Sequence, residues 1–241
     1  MKQKLLIGIA VLAVLGGGAF VYLTRPVAEP TADIQTVANQ LGSAPAEAPA
    51  VSPQAVLFRI VQDKSSAEFR VNEILNGNPF TAVGKTDQVA GDIWVAIAGP
   101  GETRLGTIRV NARTLKTDST RRDGAVGRFI LKSEDPANEL IVFEPKTLSG
   151  LPEQIKQGVA LTFTITGDLT VAGVTKPATF TANGTLDSLD TLTADAETVV
   201  RRADYGLVIP NVSFVAGVED NVILKVRIVA NRVDSMEPDV K

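Results

Sequence analysis

From Leu161 to Val171 every odd position is apolar or glycine and every even position is threonine or aspartate: Leu161-Thr162-Phe163-Thr164-Ile165-Thr166-Gly167-Asp168-Leu169-Thr170-Val171. A period of two sends successive side chains to opposite faces, so this tract reads as a strand with one buried and one wet face. The alternation recurs in Val56/Phe58/Ile60, Ala67/Phe69/Val71, Ile93/Val95/Ile97, Ile108/Val110, Ile141/Phe143, Ala178/Phe180/Ala182 and Val222/Leu224/Val226/Ile228. Turn signals separate these runs at Gln62-Asp63-Lys64-Ser65, Gly99-Pro100-Gly101, Ala172-Gly173 and Asp187-Ser188-Leu189-Asp190. The result is an all-β reading with about eight closely spaced strands. Two stretches read as helical, Ser119 to Lys132 and a turn near Asp204 to Leu207. An antiparallel sheet of this strand count closes or folds over to remove its edges, which leaves a barrel or a sandwich.

Composition then narrows the chemistry. The 241 residues include no cysteine and no histidine, which excludes Cys/His zinc sites, His- or Cys-ligated haem, Ser-His-Asp and Cys-His nucleophile systems, disulfides and cysteine-linked lipids. No cofactor is expected. Beyond residue 25 the chain holds 21 basic against 27 acidic residues, so nucleic acid is not an expected partner, because duplex affinity rests on cationic phosphate contacts.

The N-terminus differs in kind from the rest. Leu5 to Leu23 carries no charge and as a helix would run about 28 Å, enough to cross a hydrocarbon core of roughly 30 Å. Lys2 and Lys4 before it favour a cytoplasmic N-terminus and an exported body, although Arg25 weakens that asymmetry. Residues 1–24 are therefore expected to be a membrane anchor, or a signal segment with Gly16-Gly17-Gly18-Ala19 as the cleavage stretch; both place the domain outside the cytoplasm. Residues 25–54 hold five prolines among many alanines and read as a flexible spacer, with a marginal helix over Ile34 to Leu41. The β domain is expected over 55–233, followed by a polar tail, 234–241.

Three motifs in order carry more specific information: Arg121-Arg122-Asp123 opening a short helix towards Phe129, then Gly167-Asp168-Leu169-Thr170-Val171-Ala172-Gly173-Val174-Thr175-Lys176-Pro177, then Asp204-Tyr205-Gly206-Leu207. Ser65/Phe69 and the run from Gly84 to Ile93 fit the same pattern. Over about residues 56 to 232 this string resembles the YceI-like family of lipid and polyisoprenoid-binding proteins. The resemblance implies an eight-stranded antiparallel lipocalin-like barrel with one or two short helices, holding a long-chain lipid or isoprenoid. It departs from the family pattern after the helix, where Ser133-Glu134-Asp135-Pro136 stands in place of an aromatic-proline pair, so the mouth of the barrel is expected to differ.

In such a barrel the inward positions Phe69, Val71, Ile108, Phe129, Phe143, Phe163, Ile165 and Phe180 are the candidate lumen residues. The competing reading is a barrel packed solid by its own side chains, a structural or interaction module of the cell envelope. Arg121, Arg122 and Arg128, with Lys116 and Lys132, form the densest basic group and suit a phosphate head, or simply a solvated helix face. The carboxylate pairs Glu134/Asp135, Asp187/Asp190 and Glu219/Asp220 fall in turns, where aspartate serves the backbone. Tyr205 with Asp204 is the one compact acid-base pair, so no enzymatic activity is expected.

Overall fold

The computed structural model describes residues 27–41, 55–97, 99–211 and 215–233. Leu5–Leu23, residues 42–54 and the tail 234–241 lie outside the described residues. Within them, thirteen strand segments form one antiparallel sheet. They are β1 (Val56–Ile60), β2 (Ser66–Leu75), β3 (Asn78–Thr86), β4 (Val89–Ala90), β5 (Asp92–Val95), β6 (Arg104–Leu105), β7 (Ile108–Asn111), β8 (Leu140–Ser149), β9 (Leu161–Val171), β10 (Val174–Leu186), β11 (Thr191–Arg201), β12 (Val215–Ala216) and β13 (Asn221–Arg232).

Several segments are pieces of one interrupted strand. β1 and β2 run on around a turn at Gln62–Lys64, β3 to β5 follow one another, and so do β6 and β7. Counted this way the sheet has eight positions, each antiparallel to the next. The ring closes because β13 pairs with β11 on one edge and with β1 and β2 on the other. The expected all-β, eight-stranded barrel is what forms, and closure removes the sheet's open edges.

The long strands follow the period-two rule closely. In β10 the even residues from Ala178 to Leu186 are buried, while Thr179, Thr181 and Asn183 between them face water and Thr185 is half-buried. Two tight turns, Asn76-Gly77 and Ala172-Gly173, have positive φ at both central residues, the twist that hairpins favour.

The barrel has two distinct ends. One, called here the cap end, carries the segment 112–139, the two tight turns and the connection 202–220. Its helical part is α2 (Thr120–Ala125), which continues as a π-helical turn over Val126–Ile130, within the helix expected for Ser119 to Lys132. The far end carries loops 96–103, 150–160 and 187–190, where Ile155 N donates to Ile97 O at 3.3 Å and Gly158 N to Leu186 O at 2.8 Å.

β7 breaks the alternation, because all four of its residues are buried, and both residues of β4 are too. A second cover explains this. Residues 27–41, within the stretch expected to be spacer, pack on the outer face as a strap. Its helix α1 (Ile34–Leu41) is capped by Asp33, whose Oδ1 accepts from Gln35 N at 2.9 Å, and it sets Ile34 and Ala38, one turn apart, against Ala90 and Leu140. Ile34, Ala38 and Ala90 are fully buried. A helix of eight residues is too short to persist alone, and this packing supplies what propensity does not.

Polar contacts complete the dock. Glu139 accepts from Thr31 N at 2.7 Å, from the Thr31 hydroxyl, and from Asn111 Nδ2 at 3.1 Å. Arg113 Nη1 lies 2.9 Å from Glu139 Oε2 and donates to Glu29 O at 3.0 Å. Burial pushes the Glu139 carboxyl up, but the Thr31 and Asn111 hydrogen bonds and the Arg113 charge outweigh it and hold it below its usual value.

Candidate functional site

The inward faces of the strands do not fill the barrel. A cavity of about 110 Å³ remains, bounded by residues of β2, β6 to β11 and β13 and by Leu115 of the cap segment. Ordinary interiors hold few voids larger than one water, so this is more space than a close-packed core leaves. Five residues singled out in the sequence line it: Phe69, Ile108, Phe143, Ile165 and Phe180. The Phe143 and Phe180 rings meet edge to face, 5.0 Å between centroids and 64° between planes, which fixes one wall. Phe69 lies across the backbone of its register partner Gly84, where a Cβ would overlap the ring. Gly84 thus lets the ring settle against the wall.

The charged residues on the cavity's boundary are Glu68 and Lys225, register partners on β2 and β13. They occupy the parity opposite to Phe69 and Leu224. Their charges are spent elsewhere, Lys225 Nζ on Glu197 at 2.6 Å and Glu68 on Arg70.

Three other candidates are not brought to the cavity. Phe163 keeps inward parity but sits towards the far end, its Cε1 3.2 Å from where a Cβ at Gly184 would stand. Val71 is half-buried near the cap end of β2, and Phe129 is half-buried on the π-helical turn. Conversely, Leu105, Leu115 and Leu224 line the cavity without having been singled out. Leu224 shares the alternation of β13 and was open to the same rule. Leu115 lies in an irregular segment and carries no periodic signal.

The arginines do not converge on the cavity either, and none of Arg121, Arg122 and Arg128 lines it. Arg122 Nη2 pairs with Glu73 at 3.0 Å, also engages Asp118, and stacks 5.0 Å from the Phe80 ring centroid. Arg128 has a side chain only 1% exposed and donates to Glu134 Oε1 at 3.0 Å. Arg121 is exposed on the first turn of α2. Arg122 and Arg128 are thus each engaged by their own carboxylates.

Tyr205 is buried in the core, its hydroxyl has no hydrogen-bond partner among the described residues, and burial followed by the nearby Asp204 charge pushes its pKa up. It is therefore a neutral phenol at ordinary pH. Arg109, on the outer face of β7 opposite Ala90, has its pKa lowered by burial despite the attraction of Glu144 and Asp92. Among the described residues there is no cluster of three or more potential metal-ligating side chains, and no helix long and apolar enough to cross a membrane.

Comparison with known proteins fits this architecture. Residues 58–230 match the sequence model of the family described as YceI-like domain. No curated protein matches the sequence. Among solved structures, a polyisoprenoid binding domain from Saccharophagus degradans, implicated in plant cell wall breakdown, superposes with a TM-score of 0.56 at 12% identity, covering 74% of this chain and 99% of that one. Burkholderia cenocepacia BcnA superposes at 0.55 with 15% identity, covering 70% of this chain and 98% of that one. At these identities the likeness is one of fold.

Proposed function

The chain belongs to the YceI-like domain family, and from that premise we propose that it is an extracytoplasmic binding or carrier protein for a long-chain amphiphile, a polyisoprenoid or related lipid, whose tail lies in the barrel. The observation that carries this reading is the cavity of about 110 Å³ walled by apolar side chains. Burying a chain there is worth about 0.8 kcal/mol per CH₂, so shape and surface suffice and no polar recognition is needed along its length. The volume is below the roughly 300 Å³ of a small drug-sized site, which favours a slim tail entering lengthwise over a bulky ring system. Such a task involves no covalent step, in keeping with a chain that lacks cysteine and histidine. The polyisoprenoid-binding description of the Saccharophagus degradans domain supports the ligand class by analogy. Location rests on Leu5–Leu23, read as an anchor or signal segment that puts the barrel outside the cytoplasm.

The test is native mass spectrometry with organic extraction of the full chain purified in mild detergent. A co-purifying long-chain lipid is expected, and Phe180→Asp, which sets a carboxylate in the cavity wall, should lose it. A protein that stays ligand-free after incubation with membrane lipids overturns the carrier reading in favour of a structural or interaction module of the cell envelope.

A further inference from the structure

We propose that the cap end of the barrel is a lipid-facing surface, pressed against the bilayer by the strap. The inference rests on the anchoring reading of Leu5–Leu23 and adds an orientation to it. A thirty-residue spacer would leave the barrel free to tumble at the membrane. The strap removes most of that freedom, because it is already seated on the domain at Val27, only four residues after Leu23.

The strap's point of arrival fixes which end is near the bilayer. The Val27 side chain rests on Gly127 of the cap segment, where an added Cβ would come within 2.8 Å of Val27 Cγ2. Glu29 and Thr31 are then held by Arg113 and Glu139, and α1 follows on the outside of β4 and β7. Four residues span at most about 14 Å, so an anchor ending at Leu23 leaves the cap end little distance from the lipid surface.

The surface at that end suits such a partner. The connection after β11 runs Gly206-Leu207-Val208-Ile209-Pro210, and Val208 is 72% exposed, the largest exposure among the large apolar side chains described. Lys116, Arg121 and Lys132 of the cap segment are exposed at the same end. Of the acids there, Asp118 is engaged by Arg122, Glu134 by Arg128 and Asp220 by Arg201, while Asp135, Asp204 and Glu219 are exposed, so this end is close to neutral and its cations are local to the cap segment. An apolar loop with cations beside it is the pattern of an interfacial contact with anionic lipid. The far end also exposes two apolar residues, Val159 and Leu189, but Leu189 stands between Asp187 and Asp190, and the three loops carry Glu102, Glu153, Asp187 and Asp190 against Lys156 alone. Approach of that end to an anionic bilayer is opposed by charge.

The chain has no native cysteine, so single spin labels report position without background. The full chain is reconstituted in vesicles of phosphatidylcholine and phosphatidylglycerol and labelled in turn at Val208→Cys, Lys132→Cys and Leu189→Cys. Accessibility to lipid-dissolved oxygen is compared with accessibility to a water-soluble nickel chelate. Oxygen should dominate at 208, the two should approach balance at 132, and nickel should dominate at 189, a reversal of sign between the two ends. Equal nickel dominance at all three sites, or shielding at 189, in protein that resists alkaline extraction overturns the orientation and leaves the anchor reading standing. Release of the protein by alkaline extraction overturns the anchor reading and the orientation with it. Lipid extracted from the same samples reports on the cavity separately.

Discussion

The wall formed by β9, β10, β11 and β13 and the wall formed by β4 to β7 belong to one ring but are stabilised differently. The first has strands of 11 to 13 residues joined mostly by tight turns, with one face in the lumen and the other in water. Its outer face is stitched by threonine pairs such as Thr166–Thr179 and Thr170–Thr175, hydroxyl to hydroxyl at 3.0 and 2.8 Å. The second has strands of two to four residues and a stretch buried on both sides. A short double-covered strand needs something to cover it, and here that is the strap, from a part of the chain that precedes the family match at residue 58. A recognised domain and a folding unit are therefore different lengths of this chain.

The largest test of that contrast is removal of the strap. A protein starting at residue 42 should be less stable than one starting at residue 27 by on the order of 5 kcal/mol, a figure that combines one buried isoleucine with hydrogen bonds to charged groups. Urea midpoints measure it, and equal midpoints would mean that the short wall stands without its cover.

Next in size are two glycines. Gly167→Ala should cost about 3 kcal/mol, since the new Cβ would overlap the Glu144 carbonyl oxygen in the neighbouring backbone. Gly84→Ala should cost about 2 kcal/mol and displace Phe69, but here the obstacle is a side chain. The double variant Gly84→Ala/Phe69→Leu should recover most of the loss by thermal melting, whereas no side-chain change should rescue position 167.

Glu139→Gln should cost about 2 kcal/mol near neutral pH by weakening the strap's polar dock. Because the folded-state pKa of Glu139 is depressed, its contribution is present above the ordinary value of about 4.3 and is lost as pH falls through the folded value. The gap between wild type and variant should therefore begin to narrow in denaturant curves as pH falls below about 4.3 and close only below the depressed folded value. A gap that persists unchanged in acid would assign the effect to shape and not to charge. Smallest of all, Thr166→Val on the long wall should change stability by less than about 0.5 kcal/mol.

The long wall was legible because its code is local. The alternating tract Leu161 to Val171 is β9 from end to end, with burial alternating from Ile165 onwards, and the same rule found Phe69, Ile108, Phe143, Ile165 and Phe180 on the cavity wall. Periodicity assigns a face but not a height along the barrel, and that is why Phe163 shares the parity of Ile165 yet misses the cavity. The short wall was less legible because its code is distant. Nothing around Arg109 and Asn111 says that a helix some seventy residues earlier will cover them. Arg128 reads as a surface cation until Glu134, six residues on, is seen to hold it in the interior.

The last strand has a consequence for when the molecule can exist at all. β13 is the partner of β1, β2 and β11, so the last strand joins the first strands of the domain to β11 through the same twelve residues. Hairpins can zip as the chain emerges from a ribosome or a translocation pore, but the ring stays an open ribbon with a lipophilic inner face until Asn221–Arg232 arrives. A chain that lacks β13 therefore has every other strand and still no closed barrel.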